Sequence, residues 1–293
     1  MAHQELISVI IPTCNRLPVL KRVLGSLEKQ TGEGGPFEVI VIDDGSKDGT
    51  GEYLESTGFS FPCRFIRQKH KGPAAARNAG LKKAKGETVL FLNDDCLAAP
   101  DLLFQHRRGR QEFGECAILG RIEWSSEIPL APEVRNLVNI YYFPYGKIRT
   151  PWNLHFAYFI TGNLSAPLKK VLEAGGFDED FTDAAYEDIE LGYRLWQAGL
   201  RLCYNPGAVA HHVHHLNFDQ FCDRQKKVAY WLYAFLAKHP EVMSLYPGVY
   251  NYIGEFSLKN RDAYNLILNY MMYRGAKAGQ EAFLAKKTTK ADG

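Results

Sequence analysis

The sequence predicts a doubly wound α/β fold, a mostly parallel sheet with helices on both faces, followed by a helical extension. Three observations carry this. The short runs "ISVIIP" (7–12), "EVIVID" (38–43) and "TVLFLN" (88–93) are rich in β-branched residues and apolar on both faces, as buried parallel strands are. Stretches with helical spacing alternate with such runs to about residue 115. From Phe218 onward a long helical stripe takes over.

After the first run, "LPVLKRVLGSLEKQT" sets Val19, Leu20, Val23, Leu24 and Leu27 on one helical stripe, with Pro18 in a first turn whose N–H groups need no helical partner. The second run completes a βαβ unit. "CRFIRQ" (63–68) reads as a weaker strand, and the Ala-rich "GPAAARNAGLKKAKG" as a helix with Gly86 as its expected stop. Residues 123–153 hold four prolines and many aromatics, which predicts long loops over a pocket. Helical spacing returns after Pro167, and "YEDIELGYRLWQAGL" predicts a helix with Leu191, Leu195 and Trp196 inward, closing near Gly199. Phe218, Phe221, Cys222, Leu232, Phe235 and Leu236 mark the last helix. The expected division is an α/β domain over 1–215 and a helical extension over 216–293 with a disordered Lys-rich tail.

A formal charge of +2, from 35 basic and 33 acidic residues, gives no electrostatic case for nucleic acid as a partner. Six cysteines without a CxxC pair suit reduced thiols and a cytoplasmic location; Glu5 interrupts the first residues, so no signal peptide is expected. No apolar run approaches the ~20 residues of a membrane span.

"VIDDGS" and "FLNDDC" place Asp43, Asp44, Asp94 and Asp95 just behind strands, at the edge where α/β sheets bind ligands. Crowded carboxylates repel unless a cation or several donors compensate. Oxygen ligands select Mg²⁺ or Mn²⁺, which keeps positions for water and phosphate, so a nucleoside diphosphate is a natural guest. Aspartates also cap turns and helices, and either pair alone suits that role equally well. Neither GxGxxG after the first strand nor GxxxxGK[ST] occurs, which disfavours dinucleotide and P-loop enzymes.

"SVIIPTCNR", "FEVIVIDDGSKDGT", "KGPAAARNAGL", "FLNDDC", "TGNLSAPLKKVLEAGGFDEDF", "YEDIELGYRL" and "HHVHH" come in an order and at spacings that resemble the family 2 glycosyltransferases of GT-A fold, over about residues 7–215. The resemblance implies a nucleotide-binding half over about 1–115 and an acceptor-binding half over about 116–215. It implies inverting, metal-dependent transfer of one sugar from a nucleotide-sugar, most often a UDP-sugar, to a hydroxyl of a sugar, glycan or lipid-linked acceptor. Pro12, Thr13, Asn15, Arg16, Asp44, Arg77, Asn93 and Asp94 would then line the nucleotide, with Thr13 and Asp44 beside the base. Asp95 would be the metal ligand of the DxD region, and Asn93 departs from that pattern at its first position. His211 is the expected further ligand; His212 and His214, on the other strand face, are the alternatives. Glu187 and Asp188 match the acidic motif that supplies the catalytic base, a position that also suits the first turn of a helix. Asn163 and Asp178 are expected on the acceptor side, and Trp152, Phe156, Tyr158 and Phe159 either stack on sugars or fill the core.

Two other functions compete with this one. A catalytically silent nucleotide-sugar scaffold is favoured only by Asn93, and a nucleotidyltransferase would need a Gly-rich basic signature where "PTCNR" stands. In the extension, Tyr230, Trp231, Tyr233 and Phe235 beside Lys226, Lys227 and Lys238 suit a core cover, a homodimer contact or a peripheral membrane face.

Overall fold

The structure, a computed structural model, describes residues 5–245. The chain divides into two compact units, Met1–His215 and Leu216–Gly293. In chain order the first unit runs β1 (Ile7–Thr13), α1 (Leu17–Leu27), β2 (Phe37–Asp43), α2 (Thr50–Ser56), β3 (Cys63–Arg67), α3 (Pro73–Leu81), β4 (Thr88–Leu92), β5 (Cys96–Ala98), α4 (Leu102–Phe113) and β6 (Cys116–Trp124). It continues with α5 (Pro132–Tyr141), β7 (Asn163–Pro167), α6 (Leu168–Glu173), α7 (Glu187–Gln197) and β8 (Arg201–His212).

All eight strands lie in one sheet, in the order β3-β2-β1-β4-β7-β6-β8-β5. β1 pairs in parallel with β2 and β4, β2 with β3, and β6 with β8. β7 enters antiparallel between β4 and β6, and β5 antiparallel beside β8, so the sheet is mixed. The parallel strands nevertheless all end at one edge. Strand order reverses between β1 and β4, and the crevice at such a switch point is where open α/β sheets take ligands.

The alternation of side chains separates two cores. Ile10, Ile40, Ile42, Val89 and Phe91 pack on one face with residues of α3, α6 and α7; Val9, Ile11, Val39, Val41 and Leu90 pack on the other with α1 and α4. α1 buries Leu20, Val23, Leu24 and Leu27 as its stripe requires. α3 lies close on the sheet because Gly80 has no side chain: a Cβ there would stand 2.8 Å from Ile10 Cγ2 and 2.9 Å from Ile42 Cδ1.

Several sequence expectations need correction. α3 stops at Leu81, five residues before Gly86, whose glycine serves close packing instead: a Cβ would lie 2.5 Å from the Leu6 carbonyl oxygen. The stretch 123–153 is not all loop, since β6 reaches Trp124 and α5 forms with Pro132 in its first turn and Val134, Leu137 and Val138 buried. Tyr145 anchors the chain just beyond α5: it stacks between Phe143 and Tyr204, and its hydroxyl accepts the Ile122 N–H at 3.1 Å. In α7, Leu191 and Leu195 point inward, whereas Trp196 is 40% exposed.

Gly192 in α7 faces Phe159 so tightly that an added Cβ would fall 2.3 Å from the Phe159 Cβ. Gly192→Ala should therefore destabilise the protein by about 1–3 kcal/mol despite the better helix propensity of alanine. A thermal melt followed by circular dichroism checks this, and an unchanged or raised Tm would refute the packing argument.

In the second unit, α8 (Phe218–Lys238) opens with a capping box in which Asn217 and Gln220 each bond the other's backbone N–H. Phe221, Cys222, Phe235 and Leu236 are buried, while Phe218 and Leu232 are half-buried. Trp231 is buried too. The Lys-rich tail expected to be disordered lies outside the described residues. No helix among the described residues is long and apolar enough to cross a membrane.

Candidate active site

Thr13 ends β1 and Asp94 follows β4, on the two sides of the switch point, and they meet: Thr13 Oγ1 donates to Asp94 Oδ2 at 2.8 Å. Arg16, at the start of α1, reaches back so that its Nη1 lies 2.6 Å from Asp95 Oδ2 and 3.3 Å from Asp94 Oδ1. The other Asp95 oxygen faces His212 Nε2 at 3.4 Å. This placement of His212 is set by register. β5 pairs Cys96 with His212 and Leu97 with His211, which sets His212 beside the turn that carries Asp94 and Asp95. His211 lies 3.9 Å from Glu123, so of the expected His211 and its alternatives the structure brings His212 to Asp95. β8 ends at His212, so strand alternation does not extend to His214; its ring packs near Trp124 and His212.

Asp94 and Asp95 are both buried and split their protonation. Burial, helped by the charge of Asp95, pushes Asp94 up to about 6 against the pull of Arg16 and Thr13. Burial also works to raise Asp95, but His212 and Arg16 together hold it well below the usual carboxylate range. Asp95 is thus the committed anion of the pair.

Asp95, Cys96 and His212 bring ligand atoms within 4.8 Å of one another, all buried. Burial first, then the two aspartates, keeps the Cys96 thiol well above its ordinary pKa, so it stays protonated and unsuited to a hard ion. A carboxylate oxygen and an imidazole nitrogen suit a divalent cation that leaves positions for phosphate and water.

The second aspartate pair divides its work. Asp43 caps its own turn, accepting the Ser46 N–H at 2.8 Å. Asp44 organises the 68–72 loop: it accepts from Gln68 Nε2 at 2.7 Å and from the Lys71 and Gly72 N–H groups at 2.9 Å, with His70 Nδ1 also 2.9 Å away. Asn15 holds the β1–α1 loop to the turn after β2, accepting the Lys47 N–H at 2.8 Å and donating its own N–H to Ser46 Oγ at 2.9 Å. Its φ of 54° lies in the left-handed region that asparagine tolerates best after glycine. Pro12 lies one residue before Thr13, paired with Ile42 inside the sheet.

Arg77 of α3 joins the two halves of the site. Nη1 donates to Glu187 Oε1 at 2.9 Å and Nη2 to Asn93 Oδ1 at 3.2 Å. That explains asparagine at 93: a neutral amide accepts from Arg77 without adding a third carboxylate to the Asp94–Asp95 crowd. Gly162 makes room, since a Cβ there would meet Ile122 Cδ1 at 2.8 Å and Asn93 Nδ2 at 3.2 Å. Burial, aided by Asp188, raises Glu187 to about 7 against the opposing pull of Arg77. The neighbouring Asp188 is only half-buried; Oδ2 accepts the Thr161 N–H at 3.3 Å and Oδ1 that of Ile189 at 2.8 Å. Both acids open α7, and Tyr186 before them adopts φ 68°, a conformation costly for an aromatic residue and typical of functional turns.

Other candidates make packing or turn contacts. Asn163 is fully buried: Nδ2 donates to the Arg121 and Ala208 carbonyls and Oδ1 faces His106 Nε2 at 2.9 Å. His106 must therefore carry its proton on Nε2 and accept from Ser165 Oγ at Nδ1. Asp178 accepts the Asp180 N–H within a turn. Phe156 and Phe159 are buried, Tyr158 packs on the core, and Trp152, 48% exposed, stacks edge-on with Phe113. A separate cleft of about 460 Å³ beside α4 and β8, lined by Arg108, Arg149, Tyr204 and Asn205 among others, includes none of the sequence-predicted site residues.

Burial lowers the His106 pKa from 6.5 to about 4. The folded state holds the ring neutral, so its contribution is complete above pH 6.5 and is lost as pH falls toward 4, a loss of about 3 kcal/mol. Urea midpoints at pH 7 and pH 4.5 check this: the wild type should lose more stability on acidification than His106→Gln, and equal losses would refute it.

The model of "Glycosyl transferase family 2" matches residues 8–171, and that of "Glycosyl transferase family group 2" residues 145–274. A validoxylamine A glucosyltransferase of Streptomyces hygroscopicus subsp. jinggangensis (strain 5008) is 31% identical over 284 residues, covering 83% of this chain and 63% of the relative. The chain thus spans about three fifths of the length of that curated relative. Among solved structures, the mannosyltransferase PcManGT from Pyrobaculum calidifontis, in complex with GDP-Man and Mn²⁺, superposes with TM-score 0.63 at 20% identity, covering 97% of this chain and 76% of that one. TarS 1-349 of S. aureus, in complex with UDP-GlcNAc, gives TM-score 0.63 at 16% identity over 96% of this chain and 92% of that one. Both likenesses show the GT-A fold.

Proposed function

Because the chain belongs to glycosyl transferase family 2, we propose that it moves a single sugar from a nucleotide-sugar, a UDP-sugar foremost, to a hydroxyl of a glycan or lipid-linked acceptor, inverting the anomeric carbon. The observation that carries this is the convergence at the switch point: a committed anion, Asp95, between Arg16 and His212, with Glu187, the residue before Asp188 at the start of α7, tied to the same edge through Arg77.

In this reading, Thr13, Asn15 and the loop organised by Asp44 wall the nucleoside, and Gln68 and His70 are the exchangeable partners of Asp44. Asp95 and His212 would hold Mg²⁺ or Mn²⁺, which when bound supplies positive charge against the departing diphosphate. Asp188 takes the proton of the acceptor hydroxyl as that oxygen attacks the anomeric carbon from the face opposite the leaving group. Glu187 is a positioning residue, locked by Arg77 so that its neighbour is aimed. The bond from Arg77 to Asn93 gives asparagine at that position a structural role, which supports the enzyme reading over the scaffold alternative.

Incubation with UDP-, dTDP- and GDP-sugars in Mn²⁺, with nucleotide release and product stereochemistry followed by NMR, tests the proposal. Turnover of a UDP-α-sugar to a β-configured product is expected. Retention of configuration, or no turnover of any donor, would overturn it.

A further inference from the structure

We propose that Arg16 is a tethered counter-ion that a divalent cation displaces from Asp94 and Asp95, after which the released guanidinium pairs with the donor diphosphate. This rests on the nucleotide-sugar reading above and adds to it an exchange of charges between residues of this chain.

Both oxygens of Asp95 are engaged, Oδ2 by Arg16 at 2.6 Å and Oδ1 facing His212 at 3.4 Å. A cation held by Asp95 and His212 therefore competes with Arg16 for the same carboxylate. The competition is decided at the side chain, because the backbone around it is fixed: the Asn15 N–H donates to Ser46 Oγ, Asn15 Oδ1 accepts from Lys47, and the Leu17 N–H donates to Asp48 Oδ2 at 2.9 Å. The Arg16 side chain is 40% exposed on a long aliphatic stem, while Asp94 is anchored by Thr13. Exchange of one positive charge for two also lowers the repulsion between the adjacent carboxylates further than Arg16 alone does.

The freed guanidinium has a destination. Arg16 is the N-cap of α1, beside the crevice at the switch point, and its planar fork matches phosphate oxygens. A diphosphate that holds Arg16 away from Asp95 thereby favours the cation, and the cation favours the diphosphate by the same factor. The two should bind cooperatively, with Arg16 as the coupling element.

The test reads metal binding directly. Mn²⁺ is titrated without nucleotide into the full chain and into Arg16→Ala and Arg16→Lys, with free Mn²⁺ followed by electron paramagnetic resonance; UDP is then titrated calorimetrically at saturating Mn²⁺. Arg16→Ala should bind Mn²⁺ on the order of tenfold tighter than wild type and UDP on the order of tenfold weaker, with Arg16→Lys between them. If the wild type binds Mn²⁺ and Arg16→Ala binds it equally or more weakly, Arg16 is a fixed support of the acidic pair and the exchange is wrong while the nucleotide-sugar reading stands. If neither wild type nor variants bind Mn²⁺, the cation site itself falls and the exchange with it. Thermal melts confirm that the variants compared are folded.

Discussion

Asp188→Asn is expected to slow sugar transfer by about 10²–10⁴-fold while leaving nucleotide affinity close to wild type. The carboxylate is half-buried in the first turn of α7, held by the Thr161 and Ile189 N–H groups, so an amide of the same shape keeps the stronger Ile189 bond, gives up the longer one to Thr161 and loses the capacity to take a proton. Its neighbour should behave differently. Glu187 is 3% exposed and its Oε1 lies 2.9 Å from Arg77, so Glu187→Gln weakens a charge-assisted bond to a buried guanidinium and costs about 1.5–3 kcal/mol of stability. Single-turnover rates and urea melts on the two variants separate the roles. A large loss of stability in Asp188→Asn, or a selective rate loss with full stability in Glu187→Gln, would exchange the assignments.

Asp95→Ala should abolish metal-supported nucleotide binding, weakening it by about 100-fold or more, since a directly ligating group is worth at least as much as its outer supports. Removing this carboxylate also leaves Arg16 and His212 facing each other without the charge that both approach. Asp94 does not substitute, because Thr13 holds one of its oxygens and burial, the largest cause of its raised pKa, remains when Asp95 is gone. Calorimetry with UDP and Mn²⁺ on wild type and variant measures the effect; equal affinities would place the cation elsewhere or dispense with it.

How much the sequence made legible depended on how local the signal was. β1, β2 and β4 are buried on both faces and therefore announce themselves as apolar runs, and the DxD-like segment is visible because it comes directly after one of them. β7, "NLSAP", carries no such signal: Asn163 and Ser165 are polar yet buried, satisfied by His106 from α4, 57 and 59 residues away in the chain. α5 is hidden by prolines and aromatics that suggest loop, although Pro132 is admissible in its first turn. That His212 rather than His211 meets Asp95 is not legible in the sequence, because it depends on the β5–β8 register, which joins segments more than a hundred residues apart. The bridges from Arg77 to Asn93 and Glu187, and from Arg16 to the acidic pair, are long-range contacts that spacing alone does not encode.

The central claim is that the crevice between β1 and β4 takes a nucleoside diphosphate together with a divalent cation. Calorimetric titration of UDP, dTDP and GDP into the wild-type protein, once with Mn²⁺ and once with EDTA, tests it most directly. The account predicts binding of UDP in preference to the others, present with Mn²⁺ and lost with EDTA. Binding of none of the three in either condition, or equal binding of UDP in both, would contradict it.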